Sequence, residues 1–202
     1  MYQIIRRGLL PAPVEAVTGT VVALPYPDAH FDAVWFANTS QYFPDGELAT
    51  VMGELRRVVR PGGLVAVKEF DSAVQRVAPA PPLVMPHFQE ASARLGVVQA
   101  RGGLRGPALM RHLREAGLSD LRFATTLIER TPPLDDATRR FWSGLLGFFA
   151  SEAAGRAQPD ADRAFWSRLR EAGGVARLLD DPDLVLAEGA VLVVGRVPET
   201  SS

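Results

Sequence analysis

Between Asp45 and Val59 the apolar residues are Leu48, Val51, Met52, Leu55, Val58 and Val59. Their spacings of three and four place them on one stripe, which predicts an amphipathic helix. Asp45 is the expected N-cap, and Glu47 suits the positive end of the helix dipole. The run Arg60-Pro61-Gly62-Gly63 supplies the stop, since proline cannot continue a helix and glycine readily closes one. On either side lie Phe31–Ala37 and Leu64–Val67, apolar without alternation, as expected of strands covered by helices on both faces. Strand, helix and strand in this order predict a right-handed βαβ unit with parallel strands.

Beyond this unit the pattern is more broken. A short β-type run is expected over Val14–Val22, ended by Leu24-Pro25-Tyr26-Pro27-Asp28, where two prolines remove amide donors. Ala78 to Pro86 holds four prolines and reads as an irregular loop, either a plain connector or a wall over a site. Pro107 to Ala116 reads as a helix with proline in its first turn, ended by Gly117. Leu121–Arg130 reads as a strand. Residues 132–183 are mainly helical, with Phe141, Trp142, Leu145, Leu146, Phe148 and Phe149 in one segment and Phe165, Trp166 and Leu169 in another. Ala190–Val197 closes the chain as a strand expected to run antiparallel to Leu121–Arg130. The organisation is one domain over residues 1–202, with residues 132–183 as a helical insertion.

Composition narrows the function classes. With 202 residues, 47% hydrophobic and 22% charged, the chain suits a folded α/β domain and not a disordered one. Its 22 basic residues against 23 acidic give a net charge of −1, which provides no footprint for a nucleic-acid backbone. A small neutral or weakly charged substrate fits better. No cysteine is present, so disulfides, thiolate metal sites and cysteine nucleophiles drop out, and a cytoplasmic location is expected. No apolar run approaches the roughly 18 residues of a membrane span, so no membrane role is expected. His30, His87 and His112 lack the spacing of a metal site.

The ordered set Gly19-Thr20-Val21-Val22-Ala23-Leu24-Pro25-Tyr26-Pro27-Asp28-Ala29-His30-Phe31-Asp32-Ala33-Val34, then Glu54-Leu55-Arg56-Arg57-Val58-Val59-Arg60-Pro61-Gly62-Gly63, resembles the class I S-adenosylmethionine-dependent methyltransferases. The likeness is to the small-molecule group called methyltransferase type 11 and runs from about Val14 to Phe70. It implies a Rossmann-like α/β sheet, mostly parallel with an antiparallel final strand, and S-adenosylmethionine as cofactor. Two features depart from the family pattern. Thr20 stands where the family usually has an acid that bonds the adenine amino group, and the family's glycine-rich loop, expected before Val14, is absent from the 13 residues there. The sheet is therefore expected to be incomplete at its N-terminal half. A shortened or mis-started chain, one completed by another chain, or a homo-oligomer would account for this.

Candidate site residues follow from the same alignment. Gly19, Thr20, Val21, Asn38 and Thr39 are the expected cofactor contacts by resemblance. Gln41, Tyr42 and Phe43, just past the carboxyl end of a strand where open α/β sheets bind ligands, are candidates for contact with a small-molecule acceptor. Glu69 and Asp71 either reach the same crevice or are solvated loop acids, and His87 is the histidine to consider as a base. Arg101-Gly102-Gly103-Leu104-Arg105-Gly106 reads as a flexible loop or an anion cradle. The function expected is methyl transfer from S-adenosylmethionine to a small molecule. The alternative is a non-catalytic methyltransferase-like remnant or partner subunit that binds protein or a metabolite.

Overall fold

The computed structural model describes residues 15–199. β1 (Phe31–Ala37) leads through a single helical turn at Ser40–Tyr42 into α1 (Asp45–Arg57), and β2 (Val59–Ala78) follows. Next come α2 (Val84–Arg94), α3 (Val98–Gly103) and α4 (Leu109–Glu115), then β3 (Ser119–Arg130). α5 (Asp136–Ala153), α6 (Asp160–Arg170) and α7 (Gly174–Leu179) separate β3 from β4 (Val185–Arg196). The sheet order is β1-β2-β4-β3, with β1 parallel to β2 and β4 antiparallel to both its neighbours. Three strands thus point one way, and the last in sequence inserts between the second and third against them.

α1 buries Leu48, Val51, Met52 and Leu55, the stripe its spacing predicts, against Val65 and Val67 of β2 and Val191 and Val193 of β4. Asp45 and Glu47 occupy its first turn and Arg56 and Arg57 its last, matching the dipole at both ends. Its N-cap is Pro44, and Asp45 lies one position inside. The helix ends before Pro61, because β2 already begins at Val59. The Pro61-Gly62 kink is absorbed as a register shift between Phe31↔Val59 and Ala33↔Leu64, with Gly62 at φ +77°.

Three expectations change. Val14 lies outside the described residues, and the rest of the run to Val22 forms no strand, only a bridge between Thr20 and Ala23. Among the described residues it has no neighbouring strand to satisfy its backbone. β1 pairs on one side only among the described residues, and helices cover one face of the sheet, so Trp35 is 63% exposed where full burial was expected. The proline-rich stretch is shorter than predicted: α2 starts at Val84 and takes Pro86 in its first turn, where a missing amide costs no helical bond.

The segment between β3 and β4 is helical throughout its bulk, as read from the pattern. Trp142, Leu146, Phe149, Phe165, Trp166 and Leu169 form a second core with Met85 and Phe88 of α2. Trp166 satisfies its indole N–H by donating to Gln158 Oε1 at 2.9 Å. Asp135 caps α5, accepting from the Thr138 amide at 2.8 Å and from its hydroxyl at 2.8 Å. The two cores leave a space between the carboxyl ends of β1 and β2 and the face of α5.

Candidate functional site

That space is a cavity of about 350 Å³, within the range that holds a small molecule. Asn38, Gln41 and Tyr42 border it from the turn after β1, and Phe70, Asp71, Ser72 and Gln75 from β2. α2 and α5 close it with Phe88, Phe141, Leu145, Phe148 and Phe149, and Glu188 and Gly189 of β4 form the remaining edge. Phe141 and Phe148 are 50% and 57% exposed, so their rings stand at the mouth, whereas Phe149 belongs to the second core.

The turn at residues 38–43 is held from three directions. Asn38 adopts φ +52°, its amide donates to the Lys68 carbonyl at 2.9 Å, and its Oδ1 accepts from Lys68 Nζ at 2.6 Å. Glu69 Oε2 accepts from Ser40 Oγ at 2.7 Å and from the Gln41 amide at 3.0 Å, while its Oε1 accepts from the Phe70 amide at 2.9 Å. Arg105, itself buried, donates to the carbonyls of Ser40 and Phe43 at 3.0 Å each and pairs with Asp45 at 2.8 Å. Burial, and then the Arg105 charge, hold His112 on α4 below the ordinary histidine value. α3 approaches so closely that a Cβ on Gly102 would lie 2.3 Å from Gln41 Cα. The Arg101–Gly106 segment is therefore a packing surface under the turn, and neither a flexible loop nor an anion cradle.

The candidate residues do not all converge. Asn38, Gln41 and Tyr42 reach the cavity, and Thr39 lies on the same turn with its hydroxyl turned back to the Ala37 carbonyl at 2.8 Å. Phe43 packs toward the first core. Glu69 is fully buried and spent on the turn, while Asp71, two residues on, is the acid that borders the cavity. His87 lies outside it, with Nδ1 2.6 Å from Oδ2 of the buried Asp162. Gly19 abuts Pro25, and the neighbouring Leu24 and Tyr26 carbonyls accept from Arg57 at the end of α1. Gly19 thus lies beside a segment that Arg57 ties to the end of α1, and Gly19, Thr20 and Val21 do not line the cavity. For S-adenosylmethionine, the turn at the carboxyl end of β1 fits the position of a ligand, and Gly19–Val21 do not border this cavity.

One residue that the sequence reading missed faces the cavity. Glu188 sits opposite Ile128 of β3, and burial pushes its carboxyl up, with Arg130 and Lys68 acting in the opposite sense. Glu152 of α5 and Arg156 in the turn after it also line the space, paired with each other at 3.0 Å.

With this geometry in view, known proteins show partial likenesses to the chain. Residues 3–67 match the methyltransferase domain family. A 57-residue segment is 46% identical to the demethylmenaquinone methyltransferase of Thermus thermophilus, covering 28% of this chain and 25% of that protein. A 58-residue segment is 38% identical to the 2-methyl-6-phytyl-1,4-hydroquinone methyltransferase of Synechocystis, covering 29% of this chain and 18% of that one. The matched segments thus span a quarter or less of these relatives. The crystal structure of a candidate methyltransferase from Bacillus halodurans C-125 superposes with a TM-score of 0.51 at 16% identity, covering 98% of this chain and 80% of that one. The N-terminal third of the chain is thus similar to the methyltransferase domain family, and the chain shares its fold with the Bacillus halodurans protein.

Proposed function

We propose that the chain serves S-adenosylmethionine-dependent methyl transfer to an apolar small molecule, with the acceptor in the cavity between the β1–β2 carboxyl ends and α5. The observation that carries this reading is the cavity's composition: aromatic rings on the α2–α5 side face a polar, rigidly held turn on the sheet side. The quinone and hydroquinone named for the two relatives above support an acceptor with a large apolar part.

S-adenosylmethionine, when bound, supplies an electrophilic methyl group on sulfur. The chain's own residues contribute alignment and exclusion of water, the main help such a displacement needs. Phe141, Phe148 and Phe88 would grip the apolar body of the acceptor. Asn38, Thr39 and Gln41 would meet the cofactor from the turn. Glu69 and Arg105 hold that turn without touching either ligand, so they are positioning residues.

A second reading, a methyltransferase-like chain that binds without transferring, draws support from Gly19–Val21 lying outside the cavity that Asn38 borders. It draws further support from the open edge of β1 among the described residues. Photo-crosslinking of S-adenosylmethionine followed by peptide mapping separates the two. Adducts within residues 36–43 are expected. A folded chain that gives none, or gives them only elsewhere, contradicts the leading reading.

A further inference from the structure

The cavity's charge balance points to a particular kind of acceptor. Among the described residues three carboxylates border it, Asp71, Glu152 and Glu188, against one cation, Arg156. Arg156 is occupied by Glu152 at 3.0 Å, and its guanidinium also lies 4.7 Å from the Phe88 ring centre. Asp71 accepts from the Ala73 amide at 3.1 Å. Glu188 has neither a hydrogen bond nor an ion pair among the described residues. The other cations nearby are committed: Lys68 Nζ is bonded to Asn38 Oδ1 and sits 4.5 Å from the Phe70 ring centre, and Arg130 donates to the Glu129 carbonyl.

A partly buried carboxylate left unpaired is costly, and a ligand cation removes the cost. The surrounding rings add to this, since the π-face of an aromatic attracts positive charge. Among the described residues an anionic ligand would meet Asp71 and Glu188 with no free cation to compensate. We propose that the cavity takes an apolar amine, its ammonium seated against Glu188 and its hydrocarbon body against Phe141, Phe148 and Phe149. Glu188 is thereby a specificity-determining residue. This deepens the methyl-transfer reading and rests on it only in taking the cavity as the acceptor's place.

Isothermal titration of the full chain with phenylbutylamine, phenylbutanol and phenylbutyrate tests the inference, because the three share one apolar body and differ in the head group. At about pH 8 the amine is expected to bind roughly tenfold tighter than the alcohol, the margin of a charge-assisted over a neutral hydrogen bond, and the carboxylate weakest. Glu188→Gln should bring the amine down to the alcohol's affinity and leave the alcohol unchanged. Should that variant fail to fold, the wild-type chain decides: the amine's advantage must shrink as pH falls toward about pH 4, where carboxylates protonate. Lys68 and Arg130 also act on Glu188, Arg156 borders the space, and Asp71 and Glu152 are the other carboxylates that face it. Equal affinity of amine and alcohol, preference for the carboxylate, or no binding of any of the three overturns the proposal. The same titrations with S-adenosylmethionine keep the two ideas apart. Cofactor binding without amine preference removes the amine and spares methyl transfer, and amine preference without cofactor binding does the reverse.

Discussion

Glu69→Gln is the substitution that most sharply probes how the turn beside the cavity is held. Glu69 is 0% exposed, and its two oxygens accept three donors: Ser40 Oγ at 2.7 Å, the Gln41 amide at 3.0 Å and the Phe70 amide at 2.9 Å. A glutamine has one oxygen and one NH₂ group to place. With the oxygen toward Ser40 and Gln41, the NH₂ faces the Phe70 amide; flipped, it faces the Gln41 amide. Either way one buried N–H loses its acceptor, at about 1–3 kcal/mol, and the surviving bonds weaken as the acceptor becomes neutral. The total is roughly 2–4 kcal/mol, or a fall in Tm of about 5–12 °C for a chain of this size. Circular-dichroism melts and urea titrations measure it. A cycle with Ser40→Ala should give a coupling of about 1 kcal/mol, because the hydroxyl and the carboxylate share one bond. A variant melting within about 1 °C of the parent chain would refute the clamp, since loss of even one buried acceptor exceeds that.

Two further outcomes test other parts of the account. Gly102→Ala places a methyl 2.3 Å from Gln41 Cα, so α3 must move off the turn; a loss of about 1–3 kcal/mol in urea unfolding is expected, and an unchanged midpoint would show that this approach is not tight. Glu54 is held down to about 2 by its hydrogen bonds from Arg57 and then from the Leu24 amide, below its ordinary value of 4.5. A depressed carboxylate contributes stability above about pH 4.5 that is lost as pH falls toward about pH 2. Glu54→Gln should therefore narrow its stability gap to the parent chain across that window; a gap that stays constant with pH contradicts the assignment.

What the sequence made legible was local. The α1 stripe, the stop near Pro61, β3 and β4 all follow from spacing and turn chemistry within some fifteen residues, whereas the antiparallel place of the final strand follows from the family resemblance. Glu69 was open to misreading because the apolar run ends at Val67, whereas β2 continues to Ala78. Period-two alternation through Val65 and Val67 puts Glu69 and Asp71 on the core-facing side, and that alternation was the available signal. His87 and Asp162 meet across 75 positions and Asn38 and Glu188 border one cavity across 150, pairings that no local pattern encodes. The Val14–Val22 run reads as a strand from its composition, but a strand forms only where a neighbour accepts its backbone bonds.

The central claim, that this chain serves S-adenosylmethionine chemistry, is tested most directly by calorimetric titration of the folded chain with S-adenosylmethionine. The account predicts saturable binding at one site per chain, competed by the demethylated product. A cooperatively melting chain that takes up no S-adenosylmethionine would contradict it.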